Sequence, residues 1–90
     1  MPFVMIARDK PDSLSLRMAT RDAHLAYAED TGVVMFGGPL LSDEGEMRGS
    51  MAVLDVADRA AALEWSKNDP YAKAGLFSDV EISAWKRVMG

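Results

Sequence analysis

Apolar residues run unbroken near the start of the chain, from Phe3 through Val4, Met5 and Ile6 to Ala7, and stop at the polar stretch Arg8-Asp9-Lys10-Pro11-Asp12. Such a short run with a turn-forming exit predicts a strand over residues 2–8. From Asp12 or Ser13, either able to cap a helix, the chain continues to Thr31-Gly32 without proline, and Gly32 is a natural stop. This predicts a helix of about five turns. Val33 to Leu41 (VVMFGGPLL) begins as a buried strand. Gly37-Gly38-Pro39 is expected to bend it, because glycine weakens a strand and proline donates nothing to a ladder, so its second half is expected to be an edge or a bulge. Ser42 to Met47 reads as a turn and Arg48 to Val56 as a third strand, forming a hairpin with the second. A second helix is expected from Ala57 or Asp58 to Asn68. It is closed by Asp69-Pro70, since the residue before proline is pushed out of the α region, and a short turn over residues 70–75 follows. Phe77 to Val88 alternates, with Val80, Ile82 and Ala84 on one face and Asp79, Glu81 and Ser83 on the other, as a last, half-buried strand should.

The order β-α-β-β-α-β predicts an α+β, ferredoxin-like sandwich: a four-stranded antiparallel sheet with two helices on one face. The first three strands are apolar at both alternating sets, Phe3 and Met5 against Val4 and Ile6, for instance, and Met51 and Val53 against Ala52 and Leu54. Both faces of the sheet therefore need cover, and two helices shield one. The simplest cover for the other is the same face of a second copy, which predicts a homodimer joined through the open sheet face.

Composition narrows this without changing it. Ninety residues suit one domain, expected to span 1–90. The 49% hydrophobic content is high for so small a core, which again suggests that some apolar surface meets a partner. There is no cysteine, so a disulfide framework and a thiolate metal site are excluded, and the cytoplasm is the expected compartment. The N-terminal apolar run is too short for a signal core or a membrane span. A net charge of -4 with scattered basic residues argues against nucleic acid and for a small molecule or a protein partner.

One histidine, His24, falls on the same edge of the first helix as Arg17 and Arg21, at offsets of seven and three residues. That edge borders the stripe of Leu14, Met18 and Leu25, so it is expected where helix meets sheet, as a cationic pocket rim. The plainer alternative is surface arginines and a packing histidine. Asp69 stands at the end of the second helix, where the macrodipole disfavours a carboxylate, so it needs a compensating partner such as His24 or an arginine. It also reads as an ordinary N-cap before Pro70. The two readings are compatible, because a rigidly held carboxylate can still orient an imidazole and raise its basicity. Gly37 and Gly38 permit close backbone approach, to an anionic group or within a plain β-bulge. Metal ligands are lacking and no nucleotide fingerprint is present, so no cofactor is expected. The methionines and tryptophans read as core and interface filler.

Taken in order, F-V-M-I-A-R-D-K at 3–10, D-S-L at 12–14, Arg17, Arg21 and His24, G-G-P-L at 37–40, G-S at 49–50, and N-D-P-Y at 68–71 with Gly75 resemble the YciI-like, YCII-related proteins along nearly the whole chain. The resemblance implies a dimeric α+β barrel whose cleft holds a histidine and an aspartate proposed as catalytic, matching His24 and Asp69. It also implies that Arg17, Arg21, Gly37, Gly38, Pro39, Ser50 and Tyr71 line that cleft and bind substrate. Relatives of this fold include muconolactone isomerases, dehalogenating lyases acting on ring acids or chlorinated hydroxyquinols, and cofactor-free monooxygenases; fold alone does not choose among them.

The expected function is a cofactor-independent lyase, isomerase or dehydrochlorinase in which His24, oriented by Asp69, deprotonates a small anionic ring compound held by Arg17 or Arg21. One alternative is a non-catalytic dimer that uses the pocket to bind a metabolite or a protein. The other is a cofactor-free monooxygenase, whose substrate would itself have to activate oxygen.

Overall fold

The computed structural model describes residues 2–90. The elements are β1 (Pro2–Asp9), α1 (Leu14–Thr31), β2 (Val34–Leu41), β3 (Met47–Asp55), α2 (Arg59–Asn68), the single turn α3 (Pro70–Lys73) and β4 (Phe77–Ala84). The four strands form one antiparallel sheet in the order β2-β3-β1-β4, with the helices packed on one face: an α+β ferredoxin-like fold. Of the three strands that are apolar on both faces, β1 and β3 take the centre, where a strand has neighbours on both sides, and β2 lies at the edge.

Alternation assigns the inner face. Phe3, Met5 and Ala7 stand opposite Leu54, Ala52 and Ser50 across the β1–β3 ladder, and Met5 and Ala7 stand opposite Ile82 and Val80 across β1–β4. Phe3, Met5, Ala52, Leu54, Ala62 and Trp65 are the buried core, with Tyr27 and Ala28 of α1 packed against it. The outer face is mixed. Val4, Ile6 and Met51 are half-buried there, whereas on the β4 side Arg8 bonds to Glu81 at 3.2 Å and meets Asp79 at 3.5 Å.

Helix ends follow local chemistry. Gly32 closes α1 with φ at 65°, the left-handed conformation that glycine adopts without penalty, and returns its N–H to Ala28 O. Asp58 caps α2 by accepting from Ala61 N–H at 2.8 Å. The start of α1 differs from expectation, because Ser13 turns its hydroxyl back to Pro11 O instead of capping the helix.

The second half of β2 is an edge with an irregularity, as expected, although the ladder does not break at the glycines themselves. β2 continues through Gly37-Gly38-Pro39, and its irregularities flank this triplet, between Val34 and Phe36 and between Leu40 and Leu41. Pro39 is tolerated because β2 is an edge strand. Two further expectations are corrected. β4 ends at Ala84 rather than Val88: Trp85 gives one last N–H to Pro2 O, and then Trp85 and Arg87 gather at the Phe36 ring, at 5.8 Å and 5.1 Å. Finally, Leu14, Met18 and Leu25 are exposed at 38%, 53% and 46%, while Arg17 is buried. A pocket occupies the space between α1 and the sheet, and α1 turns its polar edge toward it, with Leu25 the one member of the apolar stripe that borders it.

Candidate functional site

The pocket has a volume of about 150 Å³. Its floor is the inner face of the sheet, with Met5, Ser50 and Ala52; the edge strand contributes Gly37, Gly38 and Pro39 as one wall. α1 supplies Arg17, Arg21, His24, Leu25 and Ala28, spaced so that one helix edge serves throughout, and Trp65 and Tyr71 come from α2 and α3. Most of this lining is apolar, with a few convergent polar groups, the composition typical of small-molecule sites.

His24 Nδ1 lies 2.8 Å from Asp69 Oδ1, and the same oxygen accepts the Tyr71 backbone N–H at 2.9 Å. An oxygen that already accepts from an amide accepts from the imidazole as well, so Nδ1 carries the hydrogen, and in the neutral ring Nε2 then presents the lone pair. Asp69 is fully buried and serves two helices at once: it ends α2 in extended geometry and caps α3. Both sequence readings of Asp69 thus hold together. Its Oδ2 is buried and has no hydrogen-bond partner among the described residues. Asp69 does not line the pocket; it stands behind His24.

The imidazole is held by stacking as well. Its ring lies 4.1 Å from the Tyr71 ring at an interplanar angle of 17°. Tyr71 also meets Arg17, whose guanidinium carbon is 4.5 Å from the ring centroid. Burial pushes the Tyr71 phenol above its ordinary range, against the opposing pull of the Arg17 and Arg21 charges.

Arg17 is 2% exposed and heavily engaged. Its Nε and Nη2 donate to the two oxygens of Asp9 at 2.7 Å and 3.0 Å, and Nη2 also donates to Ser50 Oγ at 2.7 Å. A fork of this kind fixes the guanidinium plane. Because Ser50 Oγ accepts from Arg17, its own O–H remains a donor for the pocket it lines. Arg21, by contrast, is exposed and forms no ion pair among the described residues.

Of the residues singled out from sequence, all but Asp69 border the pocket, and Asp69 bonds the histidine that does. The close approach attributed to Gly37 is to the neighbouring strand: a Cβ there would fall 2.6 Å from Met51 O. Two contributors escaped sequence reasoning. Trp65, read as filler, borders the pocket. Asp9 was quoted only within a motif, yet it neutralises the buried Arg17. The strand runs one residue beyond the predicted 2–8, and only that extension puts Asp9 on the inner face with Phe3, Met5 and Ala7, where a carboxylate requires a buried cation.

Fold and pocket place the molecule among ferredoxin-like α+β proteins with a small apolar cleft beside the sheet. The YCII-related domain family model matches residues 1–86, and the chain belongs to this family. The protein YciI of Escherichia coli O6:H1 is 34% identical, with 98% of this chain and 99% of that protein covered. An uncharacterized protein of Haemophilus influenzae is 32% identical over the same shares. Among solved structures, the 5-chloro-2-hydroxyhydroquinone dehydrochlorinase of Burkholderia phenoliruptrix AC1100, in complex with 2,5-dihydroxybenzoquinone, superposes with a TM-score of 0.89 at 33% identity, covering 98% of this chain and 96% of that one. An antibiotic biosynthesis monooxygenase shares the fold at a TM-score of 0.60 and 8% identity, covering 98% of each chain. No helix among the described residues is long and apolar enough to cross a membrane.

Proposed function

We propose that residues 1–90 act as one YCII-related domain, a cytoplasmic, cofactor-independent lyase or isomerase for small anionic ring compounds, working as a homodimer joined through the open sheet face. The observation that carries the reading is the His24–Asp69 hydrogen bond of 2.8 Å behind a pocket that Arg21 also lines. A cavity near 150 Å³ suits a single six-membered ring, since apolar cavities of about this size hold benzene.

In this mechanism Arg21, without an ion pair among the described residues, holds the anionic oxygen of the substrate, while Arg17 serves Asp9 and Ser50. His24 Nε2 takes a proton from a ring carbon next to a carbonyl, and Asp69 stabilises the imidazolium through Nδ1–H. The electron pair left on carbon forms a ring double bond. If a saturated neighbouring carbon bears chlorine, chloride leaves with its bonding pair, which is elimination of HCl; a chlorinated hydroxyquinol does this from its keto tautomer, giving a hydroxyl proton to His24 and leaving a hydroxyquinone. Without a leaving group, the proton returns at another carbon, which is isomerisation. Ser50 and Tyr71, which border the pocket, donate in this reading to the carbonyl oxygen, on which negative charge develops. The similarity to a dehydrochlorinase acting on a chlorinated hydroxyquinol favours the elimination branch.

The test is chloride release from chlorinated hydroxyquinols, run beside NMR of the single imidazole during titration with ring acids, lactones and hydroxyquinols. The expected result is chloride release by the wild-type chain, abolished in His24→Gln with ligand affinity kept within roughly tenfold. A ligand that perturbs His24 with no conversion in any assay makes this a binding module. If no ligand perturbs His24 at all, the pocket reading fails.

A further inference from the structure

We infer that Asp9 is a positioning residue for His24, acting through Arg17 and Tyr71. Asp9 lies at the end of β1, just past a register shift in the β1–β4 ladder, with its side chain 5% exposed. It grips Arg17 in two parallel hydrogen bonds, which fix the plane of the guanidinium and not only its charge. That plane lies against Tyr71, and Tyr71 is stacked on the imidazole. Tyr71 in turn gives its backbone N–H to the same Asp69 oxygen that meets His24 Nδ1. The imidazole is therefore constrained on its edge by Asp69 and on its face by Tyr71, and the facial constraint is anchored through Arg17 to a carboxylate on a central strand.

The arrangement explains why a cation and an anion are buried this close to an apolar pocket. A buried pair gives little net stability over an apolar replacement, so what this one contributes is geometry more than energy. It also separates the two helix arginines. Arg17 is neutralised and fixed, and Arg21 is left to meet an anionic ligand. In the terms of the proposed function, on which its catalytic consequence rests, the Asp9–Arg17–Tyr71 column sets the direction of His24 Nε2.

Substrate-free NMR reads this independently of any turnover. In the wild-type chain, the His24 ring C–H signals and the Arg17 Nε–H signal are expected upfield of their ordinary positions because both groups lie against the Tyr71 ring. Tyr71→Leu supplies the reference for complete loss. Asp9→Asn is expected to move the His24 signals most of the way to that reference, and Asp9→Glu to restore part of the displacement. Arg17→Lys, which keeps the charge but not the flat fork, should behave like Asp9→Asn. Circular dichroism identifies which variants are folded. Unchanged His24 signals in a folded Asp9→Asn or Arg17→Lys chain reduce Asp9 to a structural ion pair and overturn the inference. If neither variant folds, the wild-type spectrum decides, because ordinary positions for His24 and Arg17 overturn it equally.

Discussion

A missing side chain sets the shape of one pocket wall. Gly37 and Gly38 are neighbours on β2, but a Cβ on Gly37 would meet Met51 O at 2.6 Å and the Ala52 Cα at 3.0 Å, whereas a Cβ on Gly38 meets nothing within 4 Å. Gly37→Ala is therefore expected to push the edge strand off β3 and cost about 1–3 kcal/mol, as overpacking does. Gly38→Ala should stay within about 0.5 kcal/mol of the wild type. Urea denaturation midpoints of the two variants check this, and equal effects would mean that β2 yields without strain. The contrast bounds what sequence reveals at this scale. That glycine was required in Gly37-Gly38-Pro39 was legible, but which of the two was required depends on register, which the flanking irregularities of β2 set. Asp69 was legible as a carboxylate in need of a partner, His24 or an arginine, and the resemblance to YCII-related proteins is what paired it with His24. Asp9 was not legible in this way, because a carboxylate at a strand end looks like the start of a loop until Arg17 is seen buried against it.

Contacts between elements hold the site open. α1 and α2 are tied by two side-chain hydrogen bonds: Tyr27 O–H donates to Trp65 O at 2.7 Å, and Trp65 Nε1–H donates to Thr31 Oγ1 at 2.9 Å. Burial raises the Tyr27 phenol above its ordinary value, and the nearby Asp69 and Glu64 carboxylates, by disfavouring a phenolate, add to the rise. The sign follows directly. Below the unfolded value of about 10, both states keep the proton and the stabilisation is complete; above it the unfolded chain releases the proton first, so stability falls as pH climbs through the raised folded value. Urea midpoints measured from pH 8 upward should hold steady and then decline above pH 10. Tyr27→Phe should make that decline shallower, and an identical slope in the variant would assign the loss elsewhere. Most element boundaries were readable from sequence, because Gly32, Asp58 and Asp69-Pro70 act locally. The orientation of α1 was legible in part. The edge of Arg17, Arg21 and His24 was expected where helix meets sheet, as a pocket rim, and it lies there, whereas the exposure of the neighbouring Leu14 and Met18 was not readable.

At the scale of the whole molecule, the outer sheet face is the surface that bears on assembly. Val4, Ile6 and Met51 are only half-buried there and Phe36 is 38% exposed, while Arg8, Asp79 and Glu81 make the β4 side charged. A face that is apolar toward one edge and charged toward the other suits a two-fold pairing in which the apolar halves meet and the charged groups form a rim. The proposed dimer makes a specific demand on Ile6, a central residue whose β4 neighbour is Glu81. Ile6→Lys places a cation beside Glu81 within one copy, where the monomer tolerates it, but buries like charges near the axis of a pair. Sedimentation velocity should therefore show a dimer for the wild-type chain and a folded monomer for the variant. A dimer that persists in Ile6→Lys would move the interface elsewhere, and the exposed Leu14, Met18 and Leu25 of α1 would become the next surface to test. A wild-type monomer would instead show that the half-buried outer face is stable in water without a partner. Because the pocket opens on the helix side of the sheet, a monomeric Ile6→Lys should still shift its His24 signals with any ligand that shifts those of the wild type. Binding lost together with dimerisation would mean that the second copy helps to build the site.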